Sequence, residues 1–379
     1  MAAPWVAGMV PGRARPGTAV QTLRARGNHR SSIPLSDPSP TLGRMAVTTD
    51  VLSAADLHPD QLEAYRRELT GYCYRMLGSG SEAEDAVQDT LLRAWQAADR
   101  FVGRSSVRSW LYRIATNVCL DMLRGRSRRA RPMELGPAMP PEESSLARVL
   151  PEHSWVSPIA DARVLPEDGD PAEIAVARES IRLAFVTALQ HLPPRQRAAL
   201  ILCEVLRWQA AETAELLGTS VAAVNSALQR ARATLATVQD GAGSAETVPA
   251  SAAPVEDSDR ELLAQYVDAF ERYDIDALVK LLAEDAVQSM PPYAMWLRGA
   301  ADIGAWMLGP GAECEGSRLL PVAANGTIAY GQSRVDPAGG HAGWALQFPE
   351  TRDGKIVAVS SFLDVADLFP SFGLALHLP

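Results

Sequence analysis

Eight arginines fall within one short stretch of the chain: Arg104, Arg108, Arg113, Arg124, Arg126, Arg128, Arg129 and Arg131, against the single acid Asp121. Guanidinium groups at this density suit phosphate, which they bind through planar, bidentate hydrogen bonds. The whole chain carries a formal charge of −9, but that average hides alternating blocks. Residues 104–132 sum to +7, residues 133–180 to −7 and residues 241–379 to −11. A polyanion responds to local field rather than net charge, so the negative total does not exclude a nucleic-acid partner. On charge alone, a solvated arginine run at a helix end accounts for the block equally well.

Other reactive side chains are sparse. The four cysteines, Cys73, Cys119, Cys203 and Cys314, lie far apart with no C-x-x-C pair. Neither a disulfide framework nor a zinc knuckle is expected, and no metal or cofactor. Toward the C-terminus, Asp285, Asp302, His341 and Asp364 are the acid–base groups, with Tyr293 as a donor, but no spacing singles out a catalytic pair. Met290, Trp296, Trp306, Trp344 and Phe348 have the composition of a ligand pocket, although core packing is the commoner use of such residues. No catalytic residues are assigned.

The elements that position these groups follow from periodicity. With 379 residues, 47% apolar and 21% charged, the chain has room for two or three globular domains. No apolar stretch is long enough for a membrane helix, and the N-terminal arginines follow the apolar residues, the wrong polarity for a secretory signal. A cytoplasmic protein with no membrane partner is expected. Residues 1–50, rich in Pro, Gly, Ser and Arg, read as a disordered extension. The pattern is helical through residues 51–127. Val87, Leu91, Ala94, Trp95 and Ala98 share one face, and Val107, Leu111, Ile114 and Val118 form the next apolar stripe. Trp110 shares helical spacing with Ile114, which suits a core residue, with an aromatic stacking platform as the less common alternative.

Residues 128–172 are acidic and proline-rich, a linker. Helices return over 173–238, where Ala210–Leu217 and Val221–Leu235 flank a turn at Gly218-Thr219-Ser220, the pattern of a helix-turn-helix. Ser220 is the N-cap of the second helix. Ala222, Ala223, Asn225, Ser226 and Gln229 are small or polar enough to approach base edges, and Arg230 and Arg232 suit phosphates. A second linker covers 239–256. Residues 257–379 read as two helices, then an antiparallel meander with strands at Gly326–Arg334, Ala342–Phe348 and Lys355–Leu363: an α+β domain.

Together the two helical domains resemble the extracytoplasmic-function (ECF) group of sigma-70 family sigma factors, subunits of bacterial RNA polymerase. The resemblance rests on Ser81-Glu82-Ala83-Glu84-Asp85-Ala86-Val87-Gln88-Asp89-Thr90, Ser109-Trp110-Leu111-Tyr112-Arg113-Ile114-Ala115-Thr116-Asn117, Leu192-Pro193-Pro194-Arg195-Gln196-Arg197 and Val224-Asn225-Ser226-Ala227-Leu228-Gln229-Arg230. It implies that Asp85, Gln88 and Asp89 bind the polymerase clamp. It implies that Arg104, Ser105, Arg108, Arg113, Asn117 and Arg124 hold the opened −10 promoter element. The −35 element would be read by Ser220, Ala222, Ala223, Asn225, Ser226, Gln229, Arg230 and Arg232. Asn225 and Ala227 stand where many relatives carry Lys or Arg, which implies weaker stand-alone DNA binding.

The C-terminal residues look like a SnoaL-like cone, carried by Tyr266-Val267-Asp268-Ala269-Phe270, Met290-Pro291-Pro292, Trp296 and Trp344-Ala345-Leu346. The full arrangement resembles the SigG-type ECF subgroup. The fold expected is thus multidomain: two all-α sigma domains, the second with a helix-turn-helix, plus an α+β SnoaL-like cone. The expected partners are core RNA polymerase, at its clamp and flap regions, and promoter DNA. For the cone a small-molecule ligand or an intramolecular contact stays open: with its −11 charge it would either compete with DNA for the arginines or contact polymerase and support activation. The alternative is a helix-turn-helix regulator that works without polymerase and senses a ligand through its C-terminal domain.

Overall fold

A computed structural model describes residues 59–101, 105–168, 170–242, 257–363 and 365–379. The expected N-terminal extension and most of the second linker lie outside the described residues, as do Arg104 and Asp364.

The first helical part comprises α1 (Pro59–Glu63), α2 (Arg66–Leu77), α3 (Gly80–Gln96) and α4 (Val107–Met122). From Leu69 to Leu77 every residue of α2 is buried, as expected of a helix with neighbours on all sides. Ser79 caps α3 by accepting from Glu82 N, and Ser106 caps α4 by accepting from Ser109 N at 3.1 Å. A short α5 (Asp161–Val164) lies in the interdomain segment. The second helical part follows: α6 (Pro171–Glu179), α7 (Leu183–Gln190), α8 (Pro194–Leu200), one π-helical turn at Ile201–Val205, α9 (Ala210–Leu216) and α10 (Val221–Ala242).

The C-terminal part is α11 (Asp257–Glu271), α12 (Ile275–Leu281), β1 (Leu282–Ser289), β2 (Trp296–Arg298), α13 (Ala300–Leu308), β3 (Arg318–Ala324), β4 (Thr327–Val335), β5 (His341–Arg352), β6 (Lys355–Phe362), α14 (Val365–Ser371) and β7 (His377–Leu378). The strands form one sheet in the order β2-β1-β6-β5-β4-β3, with β7 on β5. The meander β3 to β6 is antiparallel as expected, but β1 joins β6 in parallel. That strand, β3 and the helix α13 escape the sequence reading. In β1 the last four residues, Ala286–Ser289, are all buried, which erases the alternation that marks a half-buried strand.

Burial on both faces has a structural source. Leu346, Phe348, Phe362 and Ala329 belong to a hydrophobic cluster continuous with the helical parts. Tyr330, Ile356 and Val359 belong to a separate cluster inside the cone. Alternate residues along a strand point to opposite faces, so this sheet serves two cores at once.

Three parts of the chain meet at the β3–β4 turn. Asn325 and Gly326 have φ of 51° and 70°, the left-handed conformation that a tight Asn-Gly hairpin turn requires. Asn325 is 0% exposed. Its Nδ2 donates to Tyr74 Oη on α2 at 2.6 Å and to Ile181 O at 2.7 Å, before α7. Its Oδ1 accepts from Ile159 N of the interdomain segment at 2.9 Å, and its own N–H donates to Ile159 O at 3.1 Å. A Cβ on Gly326 would sit 2.5 Å from Arg178 O, so only glycine fits the socket. Arg75 adds a second tie, donating from buried α2 to Ser180 Oγ at 2.6 Å and Gly71 O at 2.6 Å. Burial pulls its pKa down to about 10.

The interdomain segment is not a free tether. Leu150 N donates to Pro292 O, Ala294 N to Arg148 O and Met139 N to Trp296 O, each at 2.9 Å, so it runs along the β2 side of the sheet. It then crosses to the first helical part, where Ser157 N donates to Gly78 O at 3.0 Å. Prolines and acids break helical period without preventing such packing.

Gly326 N also donates to Asp161 Oδ1 at 2.8 Å. Burial raises the Asp161 carboxyl to about 6, against the Gly326 N–H and the charges of Arg178 and Arg182, which lower it. A carboxyl raised in the folded state binds its proton more tightly there than in the unfolded chain. Its contribution to stability is therefore full below the ordinary carboxylate range and is lost as pH rises through about 6. Asp161→Asn keeps the acceptor without the buried charge. Thermal melts should place this variant above the parent at pH 8, with the gap closing as pH falls toward about 5. A gap independent of pH would contradict this origin.

Candidate functional site

On α3, Asp85 and Gln88 are exposed and Asp89 is half-buried. Asp89 is held by Arg93, whose Nε lies 3.0 Å from Oδ1. Against expectation, Trp95 does not belong to the core stripe: it is 57% exposed, with Leu92 at 49%. At 100° per residue, Trp95 falls about 110° from the centre of the buried set Ala83, Ala86, Val87, Thr90, Leu91 and Ala94. The same rotation brings it beside Gln88, Leu92 and Asp85. The face is thus acidic at its N-terminal end and apolar at its C-terminal end. The spacing 85, 88, 92, 95 carried that signal in the sequence.

The arginine block behaves differently from a free cationic surface. Each of its seven described arginines is ion-paired. Arg108 Nε reaches Glu68 at 2.9 Å, Arg113 reaches Glu215 at 3.3 Å and Arg124 reaches Asp121 at 2.9 Å. Arg126 and Arg129 share Glu82 at 2.6 and 2.7 Å, Arg128 pairs with Glu134 at 2.7 Å, and Arg131 pairs with Glu350 on β5. Arg129 and Arg131 are buried, and Arg129 also donates to Trp155 O at 2.6 Å. These two have structural work. The pairs of Arg113 and Arg124 are half to largely exposed, and such pairs are worth at most about 1 kcal/mol. They can open.

Glu215 lies on α9, the first helix of the helix-turn-helix, so the Arg113 pair joins the two helical parts. Aromatic packing continues this contact: Trp208 packs at a 53° tilt with its ring centroid 5.1 Å from that of Tyr112, and the Arg108 guanidinium lies 5.3 Å from the Tyr112 ring and 5.5 Å from that of Trp208. Asn117 remains exposed on α4, and Ser105 is half-buried. Trp110 packs on Phe101 at 5.0 Å and belongs to the core periphery. Among the described arginines of the block, Arg131 alone pairs with the C-terminal part, so the acidic cone is a minor competitor for them. The main competitors sit on the helices and the interdomain segment.

The second site is open. Ser220 caps α10, accepting from Ala223 N at 3.2 Å, and Val224 and Leu228 are buried. Ser220, Ala222, Ala223, Asn225, Ser226, Gln229, Arg230 and Arg232 all lie exposed. Arg232 is paired with Glu204.

Inside the cone is a cavity of about 380 Å³ lined in part by Met290, Trp306 and Trp344. Trp296 and Phe348 do not line it: Trp296 packs with Met133 and Val287, and Phe348 faces the helical parts. Asp285, Asp302, His341 and Tyr293 are likewise absent from its wall, so the structure gathers no catalytic pair from them. Among the described residues no cluster of three metal-ligating side chains occurs, and no helix is long and apolar enough to cross a membrane.

Comparison with known proteins agrees with this geometry. Residues 62–129 match sigma-70 region 2, residues 182–235 match sigma-70 region 4 and residues 263–359 match the SnoaL-like domain. The chain belongs to the ECF sigma factors of RNA polymerase. It is 46% identical over 315 residues to the ECF RNA polymerase sigma factor SigG of Mycobacterium tuberculosis, covering 82% of each chain. It is 28% identical over 311 residues to SigJ of the same organism, covering 79% of this chain and 89% of SigJ. The SigJ crystal structure shares the fold, with a TM-score of 0.55 at 22% identity over 84% of this chain and 100% of that one. As a sigma factor it binds core RNA polymerase and promoter DNA to direct transcription initiation, and a regulator working without polymerase is not favoured. Its sigma-factor identity makes it a transcription factor.

If Leu92 and Trp95 form an unpartnered face, their replacement is structurally cheap. Leu92→Ser with Trp95→Ser should leave unfolding free energy within about 1 kcal/mol of the parent in urea titrations. Leu91→Ser, one residue away and buried, should cost about 2–4 kcal/mol. Equal losses would show that the face is packed.

Proposed function

We propose that promoter opening and polymerase binding are divided between α4 and α3, and that the cone restrains the first of these in cis. On α3 the stripe Asp85, Gln88 and Asp89, extended by Leu92 and Trp95, docks on the polymerase clamp. Acidic groups steer it to a basic partner, and the two apolar residues supply buried area. Arg104, Ser105, Arg108, Arg113, Asn117 and Arg124 hold the opened −10 strand, and the exposed face of α10 reads the −35 element near the polymerase flap. The cytoplasm, with polymerase on the nucleoid, is the compartment for this work.

The observation that carries the restraint is the Arg113–Glu215 pair. It holds a strand-binding arginine against the helix-turn-helix while the Asn325 turn holds both helical parts to the cone. In this closed state the two promoter-reading modules lie together, whereas −10 and −35 elements are separate stretches of DNA. Opening exchanges exposed ion pairs for phosphate contacts of the same kind, so polymerase and promoter can drive it.

Two experiments test the reading. In reconstituted transcription, Arg113→Ala or Asn117→Ala should impair promoter opening, read by permanganate footprinting, with co-elution on core polymerase retained. Asp85→Arg with Asp89→Arg should lose co-elution first, and failure of both sets at one step would refute the division. Deleting residues 246–379, or substituting Asn325→Ala in the full chain, should raise promoter-dependent transcript severalfold. Unchanged output in both would remove the cis restraint.

A further inference from the structure

We propose that the cone cavity binds a neutral small molecule, an apolar body bearing a hydroxyl or carbonyl, and that the interdomain turn Glu143–Leu146 competes with it for the mouth. The cavity of about 380 Å³ is within the range of small-ligand sites. Its walls are mostly aromatic and aliphatic, with Tyr266, Phe270, Trp306 and Met307 among them.

Its polar groups fall into two sets. One is closed on itself: Tyr266 Oη donates to Gln347 Oε1 at 2.7 Å, Gln347 Nε2 to Gln332 Oε1 at 2.8 Å and Gln332 Nε2 to Ser317 Oγ at 3.0 Å. The other set is unsatisfied. Gln288 on β1 makes only a long 3.9 Å contact from Nε2 to the Met290 sulfur, and the hydroxyl of Ser361 on the adjacent strand β6 has no side-chain hydrogen bond among the described residues. Both are under 10% exposed and both line the cavity. Buried polar groups in native proteins are normally paired, so an amide and a hydroxyl left open toward a cavity mark where a ligand's polar group would sit.

Charge decides the class. The ionisable wall groups of opposite sign, Arg334 and Glu313, neutralise one another at 2.5 Å, with the Arg334 guanidinium stacked 4.1 Å above Trp344. One further charged wall group, Glu143, sits exposed at the mouth, and the polar groups deeper in the cavity are neutral amides, hydroxyls and the Cys314 thiol. A charged group deep in the cavity would find no free countercharge, and burying it unpaired is costly.

Closure comes from outside the cone. Glu143 and Leu146 line the same cavity, and Leu146 packs half-buried on the cone's core. The turn they form is held by Ser145 Oγ donating to Pro140 O at 2.8 Å. On either side it is pinned to the sheet, by Met139 N to Trp296 O and by Ala294 N to Arg148 O. The turn can therefore lift without detaching the segment. Further along, the same segment meets Asn325 and α2. Ligand entry would thus strain the contacts that hold the helical parts closed. That last consequence rests on the proposed closed state, but the binding does not.

The test is a titration of the full chain with prodan, a neutral naphthyl ketone whose emission moves to the blue in apolar sites. Saturable, blue-shifted binding is expected. Leu146→Ala should tighten it at least about threefold, because the competitor is weakened. Gln288→Leu with Ser361→Ala should weaken it about tenfold. Anilinonaphthalene sulfonate, similar in size but anionic, should bind at least about tenfold more weakly than prodan. Circular dichroism and melting verify that each variant is folded. The proposal is overturned by absence of saturable binding in both parent and Leu146→Ala, by unchanged affinity in folded Leu146→Ala, or by equal binding of the anion. None of these readouts uses polymerase, so loss of polymerase association and loss of dye binding are separable failures.

Discussion

The closed arrangement depends on one side chain finding a partner for every polar atom away from water. Asn325 supplies two donors and an acceptor at the tip of a hairpin, and the three parts of the molecule each contribute the complementary group. A buried amide is tolerated only when fully bonded, so the contact is specific in a way that apolar packing alone is not. Around it the hydrophobic cluster shared by the helices and the back of the sheet supplies area, and the amide fixes how that area is used.

A second constraint concerns charge. The arginine block looks like an open invitation to phosphate, yet its described members are paired with acids within the chain. These pairs differ in exposure, and exposure sorts them by role. Buried Arg129 and Arg131 hold the interdomain segment in place. Exposed pairs, those of Arg113 and Arg124 among them, contribute little to stability and are available for exchange. The exposed face of α10 carries one such pair, Arg232 with Glu204. On the proposed division of labour, the two modules thus differ in how many pairs they must exchange.

Much of this was legible in the residues. The helical stripes, the cap at Ser220 and the helix-turn-helix follow from local period and turn chemistry, which act within a few residues. The Asn-Gly turn was legible as a turn, but not as a plug, because its partners lie 144 to 251 positions away. For the same reason Glu68, Glu215 and Glu350 gave no sign of pairing with the arginine block. Strand β1 was hidden because burial on both faces replaces alternation with a continuous run. Trp95 was misplaced because an aromatic residue at i+4 from Leu91 fits a core stripe by type, and only the rotation of the whole helix turns it outward. The interdomain segment read as a tether because backbone hydrogen bonding to a sheet edge asks nothing of side-chain pattern.

The two-faced sheet carries an implication for how this protein can change. Along β5, Gln347 belongs to the polar relay inside the cone while its neighbours Leu346 and Phe348 belong to the cluster against the helices. Inserting or losing a single residue in that strand would exchange the two sets, sending amides toward the helical core and hydrocarbon into the relay. Inheritance is therefore confined to replacements that keep strand length fixed, and the inner lining cannot drift far without the outer wall drifting with it.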